Sequence, residues 1–215
     1  MTLIVSTWLW GDKFNKDYVN RLRESVKRNL KQPYQWRVFH PEARDIHLTK
    51  MPGCFCRLRM FDPEWQKREG IDDRVVLLDL DTVITGPLDP LFDRSESYLI
   101  MQGGNSANPC RFNGALQMLR AGAHAEVWND FSVEAAGKVP FYSFPDDQGW
   151  IWHKVPDAAG WKCGKESGVY VFRKPGWPVL LDDEMPAGAR LITFNSPRSP
   201  DKFMQLPWIK EHWRC

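Results

Sequence analysis

The sequence lacks the features that mark several large classes of protein. No stretch reaches the ~18 consecutive apolar residues of a membrane-spanning helix. The apolar run at residues 2–11 is too short to cross a bilayer, and no basic residues precede it. We therefore expect neither a transmembrane segment nor a targeting segment. Lysine and arginine number 29 against 27 aspartates and glutamates, and this near balance gives no sign of a nucleic-acid partner.

Cysteine is scarce and irregularly placed. The chain has five cysteines, an odd number whose spacing fits no disulfide framework. Cys54 and Cys56 form a C-x-C pair, but no second pair follows at the spacing of a zinc finger. The pattern predicts reduced thiols in a cytoplasmic protein.

What the chain does contain is typical of a folded domain. Hydrophobic residues make up 43% and charged residues 26% of its 215 residues, which excludes wholesale disorder. Its 11 tryptophans and 12 phenylalanines are of types found most often in a core or at its boundary. Because there is no internal repeat, low-complexity tract or linker, we expect one domain over residues 1–215.

Strand and helix patterns alternate along the chain. Short apolar runs rich in strand-favouring residues predict strands at 3–10, 36–39, 74–84, 98–101, 115–119, 169–172 and 191–194. Helical spacing predicts a helix capped by Asn15 that ends before Pro33, and shorter helices at 57–61, 124–131, 146–153 and 209–213. This alternation predicts an α/β fold with a mostly parallel central sheet and helices on both faces.

The sharpest local pattern is an apolar run, residues 75–78, that continues directly into Asp79-Leu80-Asp81. A continuous apolar run is typical of a central strand that is covered on both faces. Ligands of open α/β sheets bind outside the carboxyl ends of the strands, and residues two apart share a face of a strand. Asp79 and Asp81 are therefore candidate ligands of Mg²⁺ or Mn²⁺. The same tripeptide also fits a simple strand-to-turn transition.

Two classes of enzyme share this motif. Residues 79–83, DLDTV, resemble the motif of haloacid-dehalogenase phosphatases, in which the first aspartate attacks phosphorus and the second is a general acid and base. That motif normally lies on the first strand, whereas a complete strand–helix–strand unit precedes it here. The pair Asp182-Asp183 resembles the closing acidic pair of those enzymes, but no clear phosphate-binding lysine precedes it. The phosphatase is therefore the second interpretation.

The rest of the chain resembles the nucleotide-sugar glycosyltransferases of the GT-A fold, especially small bacterial and phage-borne members near family 8. The matching segments run from end to end: GDKF at 11–14 with YVNRL at 18–22, GCFCRLRMF at 53–61, RVVLLDLDTVI at 74–84 with PLF at 90–92, FNG at 112–114, DQ at 147–148 and WIKEHW at 208–213. The resemblance implies a single-domain, Rossmann-like GT-A fold. It also implies transfer of a sugar from a nucleotide-sugar donor, a UDP-sugar, to a carbohydrate or glycoconjugate acceptor, with retention at the anomeric carbon.

On the nucleotide side, the resemblance implies that Asp81 binds Mn²⁺ or Mg²⁺ directly and that Asp79 binds the metal or the donor ribose. A divalent ion would neutralise the diphosphate leaving group. Thr7 and Trp8, at the end of the first strand, would meet the nucleoside, with Trp8 stacking on the base; a buried strand end is the alternative. Arg57 would lie near the phosphates, where its planar fork suits them; a solvated helix charge is the alternative.

On the sugar side, the resemblance implies that Asn113, Asp147 and Gln148 hold the donor's hydroxyl groups. Short polar side chains suit this task because each hydroxyl both donates and accepts hydrogen bonds. Sequence leaves open whether Asp146 or Asp147 takes this part, and both also fit a plain helix start.

The carboxy-terminal block departs from the family pattern. The family has a histidine ligand followed by glycine and then a lysine that grips the diphosphate, whereas this chain reads TFNSPRSP at 193–200. Asn195 takes the place of the metal-ligating histidine, Ser196 that of the glycine and Ser199 that of the lysine. Arg198 or Lys202 is then the candidate for the missing positive charge. A sugar-nucleotide-binding protein without turnover is a further alternative.

Overall fold

The computed structural model describes residues 2–50, 54–103, 110–139, 146–174, 177 and 183–215. Within these residues the strands are β1 (Leu3–Trp8), β2 (Tyr34–Phe39), β3 (Arg74–Leu78), β4 (Thr82–Ile84), β5 (Tyr98–Gln102), β6 (Phe112–Arg120), β7 (Val169–Val171) and β8 (Leu191–Thr193). The helices are α1 (Lys16–Asn29), α2 (Pro63–Arg68), α3 (Asp89–Phe92), α4 (Glu126–Asn129), α5 (Val133–Gly137), α6 (Asp147–Lys154) and α7 (Pro207–His212). Shorter 3₁₀ segments lie at Ala43–Thr49, Phe55–Phe61 and Pro200–Phe203.

The first unit of the fold, β1–α1–β2, confirms the strand–helix–strand prediction. The Asn15 side chain caps α1 by accepting a hydrogen bond from the backbone N–H of Asp17 at 3.0 Å, and the apolar face of α1 buries Leu22 and Val26. The helix returns the chain so that β2 pairs with β1 in parallel. Because the two strands are parallel, their carboxyl ends lie at the same edge of the sheet.

The central sheet has five strands in the order β2-β1-β3-β6-β5. β1 pairs in parallel with β2 and β3, whereas β6 runs antiparallel to both β3 and β5. Four of these five strands consequently share one direction, so the prediction of a mostly parallel central sheet is confirmed.

Both faces of the central sheet are covered, because successive residues of its strands enter different hydrophobic clusters. Ile4 packs with the segments Phe55–Phe61, α2 and α6, while Leu3 and Val5 pack with α1 and α3. The continuous apolar run of β3 divides in the same way, with Leu77 in the first cluster and Leu78 in the second. Such a strand has no solvent-facing side.

The predicted strand at 74–84 is two strands. β3 ends at Leu78, and β4 belongs to a second sheet of order β4-β8-β7, in which β4 pairs antiparallel with β8 and β7 pairs parallel with β8. The chain therefore changes sheets at residues 79–81. An apolar run does not reveal such a change, because a strand buried in either sheet requires the same residue types.

Two helix predictions are corrected. Residues 57–61 lie in a 3₁₀ segment that begins after Cys54, whose backbone is left-handed at φ 49°. The α-helix predicted at 124–131 is confined to α4, because His124 also has a left-handed backbone, with φ 55°. Among the described residues, none of the helices has the length and apolar character needed to cross a membrane.

Candidate active site

A cleft of about 510 Å³ opens at the edge where β1 and β3 end. Its walls come from the loop after β1, the 3₁₀ segment Phe55–Phe61, residues 79–81 and the loop after β8. Its lining residues are Trp8, Trp10, Gly11, Asp12, Lys13, Phe14, Thr49, Cys54, Arg57, Asp79, Leu80, Asp81 and Ser196. This is the edge at which open α/β sheets bind ligands.

Arg57 stands at the floor of the cleft between two carboxylates. Its Nη1 lies 2.5 Å from Oδ1 of Asp79, and its Nη2 lies 2.6 Å from Oδ2 of Asp147. The contact with Asp147 is an ion pair rather than an aligned hydrogen bond. Arg57 is only 7% exposed, so the alternative of a solvated helix charge is wrong. It lines the cleft as a buried bridge between two acids, and its contact with phosphates stays a prediction.

Burial sets the electrostatics of this bridge. Asp147 is 1% exposed, and burial raises its pKa to about 7 against the opposing attraction of Arg57. Burial also disfavours the charged form of Arg57, yet the carboxylates of Asp147 and Asp79 outweigh it and hold the Arg57 pKa above its ordinary value. A guanidinium that is always protonated and fixed on both sides can orient Asp79 toward the cleft.

Asp81 lies deeper in the same cleft. It is 4% exposed, and burial, followed by the nearby charge of Asp79, raises its pKa to about 7. The closest cationic atom to its Oδ2 is Nζ of Lys13 at 3.7 Å. Burial and Asp79 thus disfavour the charged form of the Asp81 carboxyl, and a further cation beside it would favour that charged form.

The predicted sugar-side residues are brought together at the start of α6. Gln148 accepts a hydrogen bond from the Gly114 N–H at 2.9 Å and donates to Oδ2 of Asp146 at 3.0 Å. Asp146 also accepts from the Gly149 N–H at 2.7 Å. Asp146 is thus the helix cap, and Asp147 is the carboxylate paired with Arg57. The structure therefore distinguishes the contacts of two residues whose roles the sequence left open.

Asn113 lies next to this group on β6. It is buried, and its Oδ1 accepts a hydrogen bond from the Ala115 backbone N–H at 2.9 Å. That contact orients the side chain, because an amide whose oxygen is held by the backbone has its N–H₂ group fixed on the opposite side. β6 passes beside β3, so Asn113 and Asp79 reach the same end of the central sheet.

Thr7 and Trp8 are both buried at the end of β1. The Thr7 hydroxyl has no hydrogen-bond partner among the described residues. Trp8 is 5% exposed and stacks on Trp65 at 5.6 Å with an interplanar angle of 19°. This packing fits the alternative of a buried strand end, but Trp8 also lines the cleft, so its stacking on a base stays a prediction. Trp10 and Phe14 are the partly exposed aromatic residues that line the cleft.

Asn195 comes close to Asp81 through strand pairing. Thr193 of β8 is opposite Thr82 of β4, and the next residue, Phe194, donates its backbone N–H to the carbonyl of Asp81 at 3.2 Å. Asn195 follows at once and is partly exposed. The antiparallel register therefore places this residue at the Asp81 side of the cleft.

Neither predicted source of positive charge in this block is a lining residue of the cleft, and a role for either in binding stays a prediction. Arg198 does not line the described cleft, and its backbone N–H donates to the carbonyl of Asn195 in a tight turn. Lys202 donates to the carbonyl of Pro197 at 2.7 Å. Lys13 lines the cleft instead, and sequence reasoning missed it as a functional residue. Its position five residues after a buried strand end was the available signal.

The acidic residues leave room for a cation. No group of three or more His, Cys, Asp or Glu side chains within the described ranges is arranged to hold a metal, so a metal on Asp79 and Asp81 would need a third ligand of another type. Asp79, Asp81 and Asp147 face one buried guanidinium and one ammonium, which leaves the ionised cluster short of positive charge. Two hard oxygen donors in such a cluster fit Mg²⁺ or Mn²⁺.

Comparison with known proteins bears on the fold. No protein-family model and no curated protein sequence matches the chain. Solved structures of glycosyltransferases do match the chain, and its fold is the fold of those enzymes. The apo-form glycosyltransferase GlyE of Streptococcus pneumoniae TIGR4 superposes with a TM-score of 0.60 at 14% identity, over 93% of this chain and 56% of GlyE. The chain thus spans little more than half of GlyE.

Two further structures match over most of both chains. The galactosyltransferase LgtC, solved with donor and acceptor sugar analogues, gives a TM-score of 0.58 at 12% identity, over 100% of this chain and 97% of LgtC. A glycosyltransferase involved in glycosylation of the major capsid of PBCV-1 gives a TM-score of 0.57 at 11% identity, over 90% of this chain and 93% of that enzyme. Identities this low carry the fold and not the substrate.

Proposed function

We propose that this protein is a metal-dependent glycosyltransferase that moves a sugar from a UDP-sugar to a carbohydrate or glycoconjugate acceptor with retention at the anomeric carbon. The observation that carries the proposal is the group of Asp79, Asp81 and Arg57 that lines a cleft, with Asp147 paired to Arg57, in a chain with a glycosyltransferase fold. One domain over residues 1–215 and a cytoplasmic location, which the odd number of cysteines favours, belong to the same proposal.

In this mechanism the metal ligands are Asp79, Asp81 and Asn195. A bound Mn²⁺ or Mg²⁺ would neutralise the diphosphate as the bond to the sugar breaks. Arg57 orients Asp79, because the guanidinium is fixed between two carboxylates. Thr7 meets the nucleoside at the end of β1, where its buried hydroxyl is free to bond it.

The sugar of the donor is held by Asn113, Asp147 and Gln148. The side chains of Asp147 and Gln148 already form one hydrogen-bonded and ion-paired group with Gly114 and Arg57, and that of Asn113 is held by the Ala115 backbone N–H. A group whose members fix one another needs little rearrangement to bind hydroxyls, and this preorganisation lowers the cost of reaching the transition state.

The proposal is tested by a panel of sugar nucleotides assayed for Mn²⁺-dependent binding and hydrolysis, with proton NMR of the product's anomeric centre as the test of retention. We expect Asp81→Asn to lose the metal-dependent part of UDP binding while folding normally, because the amide keeps the volume but not the charge. Asp157→Asn, at an exposed site outside the cleft, is the matched control.

Three outcomes contradict parts of the proposal. Equal UDP affinity in Asp81→Asn and the control would remove Asp81 from the metal site. Turnover of an aryl phosphate through an aspartyl-phosphate on Asp79 would identify a phosphatase instead. Binding of UDP-sugars with no transfer or hydrolysis would identify a sugar-nucleotide-binding protein without turnover.

A further inference from the structure

Only one cationic side chain that lines the described cleft is open to solvent. Arg57 and Lys13 both line it, but the Arg57 guanidinium is enclosed by Asp79 and Asp147. The Lys13 side chain is 55% exposed. A soluble anion that enters the cleft therefore meets the Lys13 ammonium first.

Lys13 spans the mouth of the cleft from the loop after β1. Its Nζ donates a hydrogen bond to Oγ of Ser196 at 3.0 Å, lies 3.7 Å from Oδ2 of Asp81, and lies 4.5 Å from the centre of the Phe14 ring. The separation from Asp81 is that of a loose ion pair, and the serine hydroxyl is an exposed partner. Neither contact holds the flexible lysine stem strongly in place.

The charge of the cleft indicates a function for the Lys13 ammonium. Without it, the carboxylates of Asp79, Asp81 and Asp147 face the single charge of Arg57, and such a cluster repels a diphosphate. A divalent cation on Asp81 would repel the Lys13 ammonium, which lies only 3.7 Å from Oδ2 of that carboxylate. When Asp81 takes a metal, the ammonium is released toward whatever anion lies beside that metal.

We propose that Lys13 binds the diphosphate of the nucleotide-sugar donor and that, in the free protein, the same ammonium occupies the Asp81 carboxylate that the metal needs. This inference rests on the proposed function and adds to it the residue that recognises the diphosphate. Lys13 binds ligand directly, with three donors that suit phosphate oxygens, and it links the loop after β1 to the loop after β8.

The experiment compares Lys13→Met and Lys13→Arg with Lys16→Met, a control that removes an exposed lysine three residues away at the start of α1. Calorimetry measures UDP in the presence of Mn²⁺, and Mn²⁺ alone. Ligand-observed NMR measures uridine, which has the base and ribose but no phosphate. Ser196→Ala removes the hydroxyl partner and keeps the lysine charge.

We expect two shifts of opposite sign in Lys13→Met. UDP should bind about tenfold or more weakly, because a charge-assisted hydrogen bond is lost, while Mn²⁺ alone should bind more tightly because a competing cation is gone. Uridine should be unchanged, Lys13→Arg should restore most of the UDP affinity, and Lys16→Met should bind UDP as the unaltered protein does. Ser196→Ala, which changes a residue of the cleft but keeps the lysine charge, should lose less UDP affinity than Lys13→Met.

Several results would overturn the assignment. UDP affinity equal to that of the unaltered protein removes Lys13 from the diphosphate site and leaves the proposed function standing. Equal losses of UDP and uridine affinity in Lys13→Met would show that Lys13 only holds the two loops together. A loss of UDP affinity in Ser196→Ala as large as that in Lys13→Met would show the same. If the unaltered protein binds no UDP with Mn²⁺, the proposed function and this inference both fail.

Discussion

At the scale of single residues, Arg57 shows what a sequence can and cannot predict about a site. The pattern at residues 53–61 predicted a basic residue near the strand that precedes Asp79. Gly53, the first residue of that pattern, lies outside the described residues. The pattern did not predict the partners of Arg57, because Asp79 is 22 and Asp147 is 90 residues away along the chain. Composition and spacing identify a basic residue, but only the fold decides whether it meets solvent or two carboxylates.

The buried bridge makes a direct prediction about stability. Arg57→Gln should lower the free energy of unfolding by about 3–5 kcal/mol, because it leaves two carboxylates without their cation in a buried site. Urea unfolding at neutral pH measures the loss. Arg44→Gln is the control, since Arg44 pairs with Glu42 at the surface and should cost less than about 1 kcal/mol.

A double substitution separates the bridge from a general packing defect. Asp147→Asn added to Arg57→Gln removes one of the two carboxylates left without a cation. The effects of the two changes on the free energy of unfolding should therefore be coupled by about 1–3 kcal/mol. Strictly additive losses would mean that Arg57 acts through its packing and not through its charge.

At the scale of elements, the strands that position the site were predictable because each is a short apolar run. β1, β5 and β8 begin and end within a few residues of the predicted boundaries, and β3 begins at the predicted residue. The change of sheet between β3 and β4 was not predictable, because it depends on pairing with β8 more than a hundred residues later. Long-range pairing leaves no mark on the local residue pattern.

β6 carries a glycine that lets Arg57 approach the sheet. A Cβ on Gly114 would lie 2.7 Å from Nη2 of Arg57, and that nitrogen is held by Asp147. Gly114→Ala should therefore displace the guanidinium and weaken Mn²⁺-dependent UDP binding by about tenfold, although it removes no polar group. Gly137→Ala, where an added Cβ meets nothing within 4 Å, is the control for calorimetry. Unchanged binding in Gly114→Ala would show that the bridge can shift at no cost to the site.

The loop after β8 is set by the β4–β8 register, which places Asn195 beside Asp81. If its carbonyl oxygen is the third metal ligand, Asn195→His should tighten Mn²⁺ binding by about 1 kcal/mol and change Mg²⁺ binding little, because an imidazole nitrogen favours the later metal. Asn195→Ala should weaken both. Metal titrations in the presence of UDP measure all three, and equal affinities throughout would make Asn195 an ordinary loop residue.

At the scale of the whole molecule, the two sheets share a core. Ile84 of β4 and Val171 of β7 belong to the same hydrophobic cluster as Leu22 and Val26 of α1, which also covers the central sheet. The other side of the second sheet packs against α7 through Ile192 and Ile209. The α/β class and the overall order of elements were predictable from alternation, whereas this shared packing depends on tertiary contacts that sequence does not display.

A shared core makes the one-domain proposal testable. Because α1 packs on both sheets, neither sheet can lose its packing alone, and calorimetry should show one transition whose calorimetric and van 't Hoff enthalpies agree. Two resolved transitions would divide the chain into two units and contradict the proposal.

Ligand binding should then stabilise the whole chain at once. UDP with Mn²⁺ at about 100 times its Kd adds about 2.7 kcal/mol, which for a chain of this size raises Tm by roughly 5–10 °C. The single transition should move without splitting, because the cleft is built from β1, β3 and the loop after β8 and so includes both sheets. UDP with a chelator, and Asp81→Asn with UDP and Mn²⁺, should show little of this shift. A shift that survives in both would mean that nucleotide binds without the metal and that the acidic pair has another purpose.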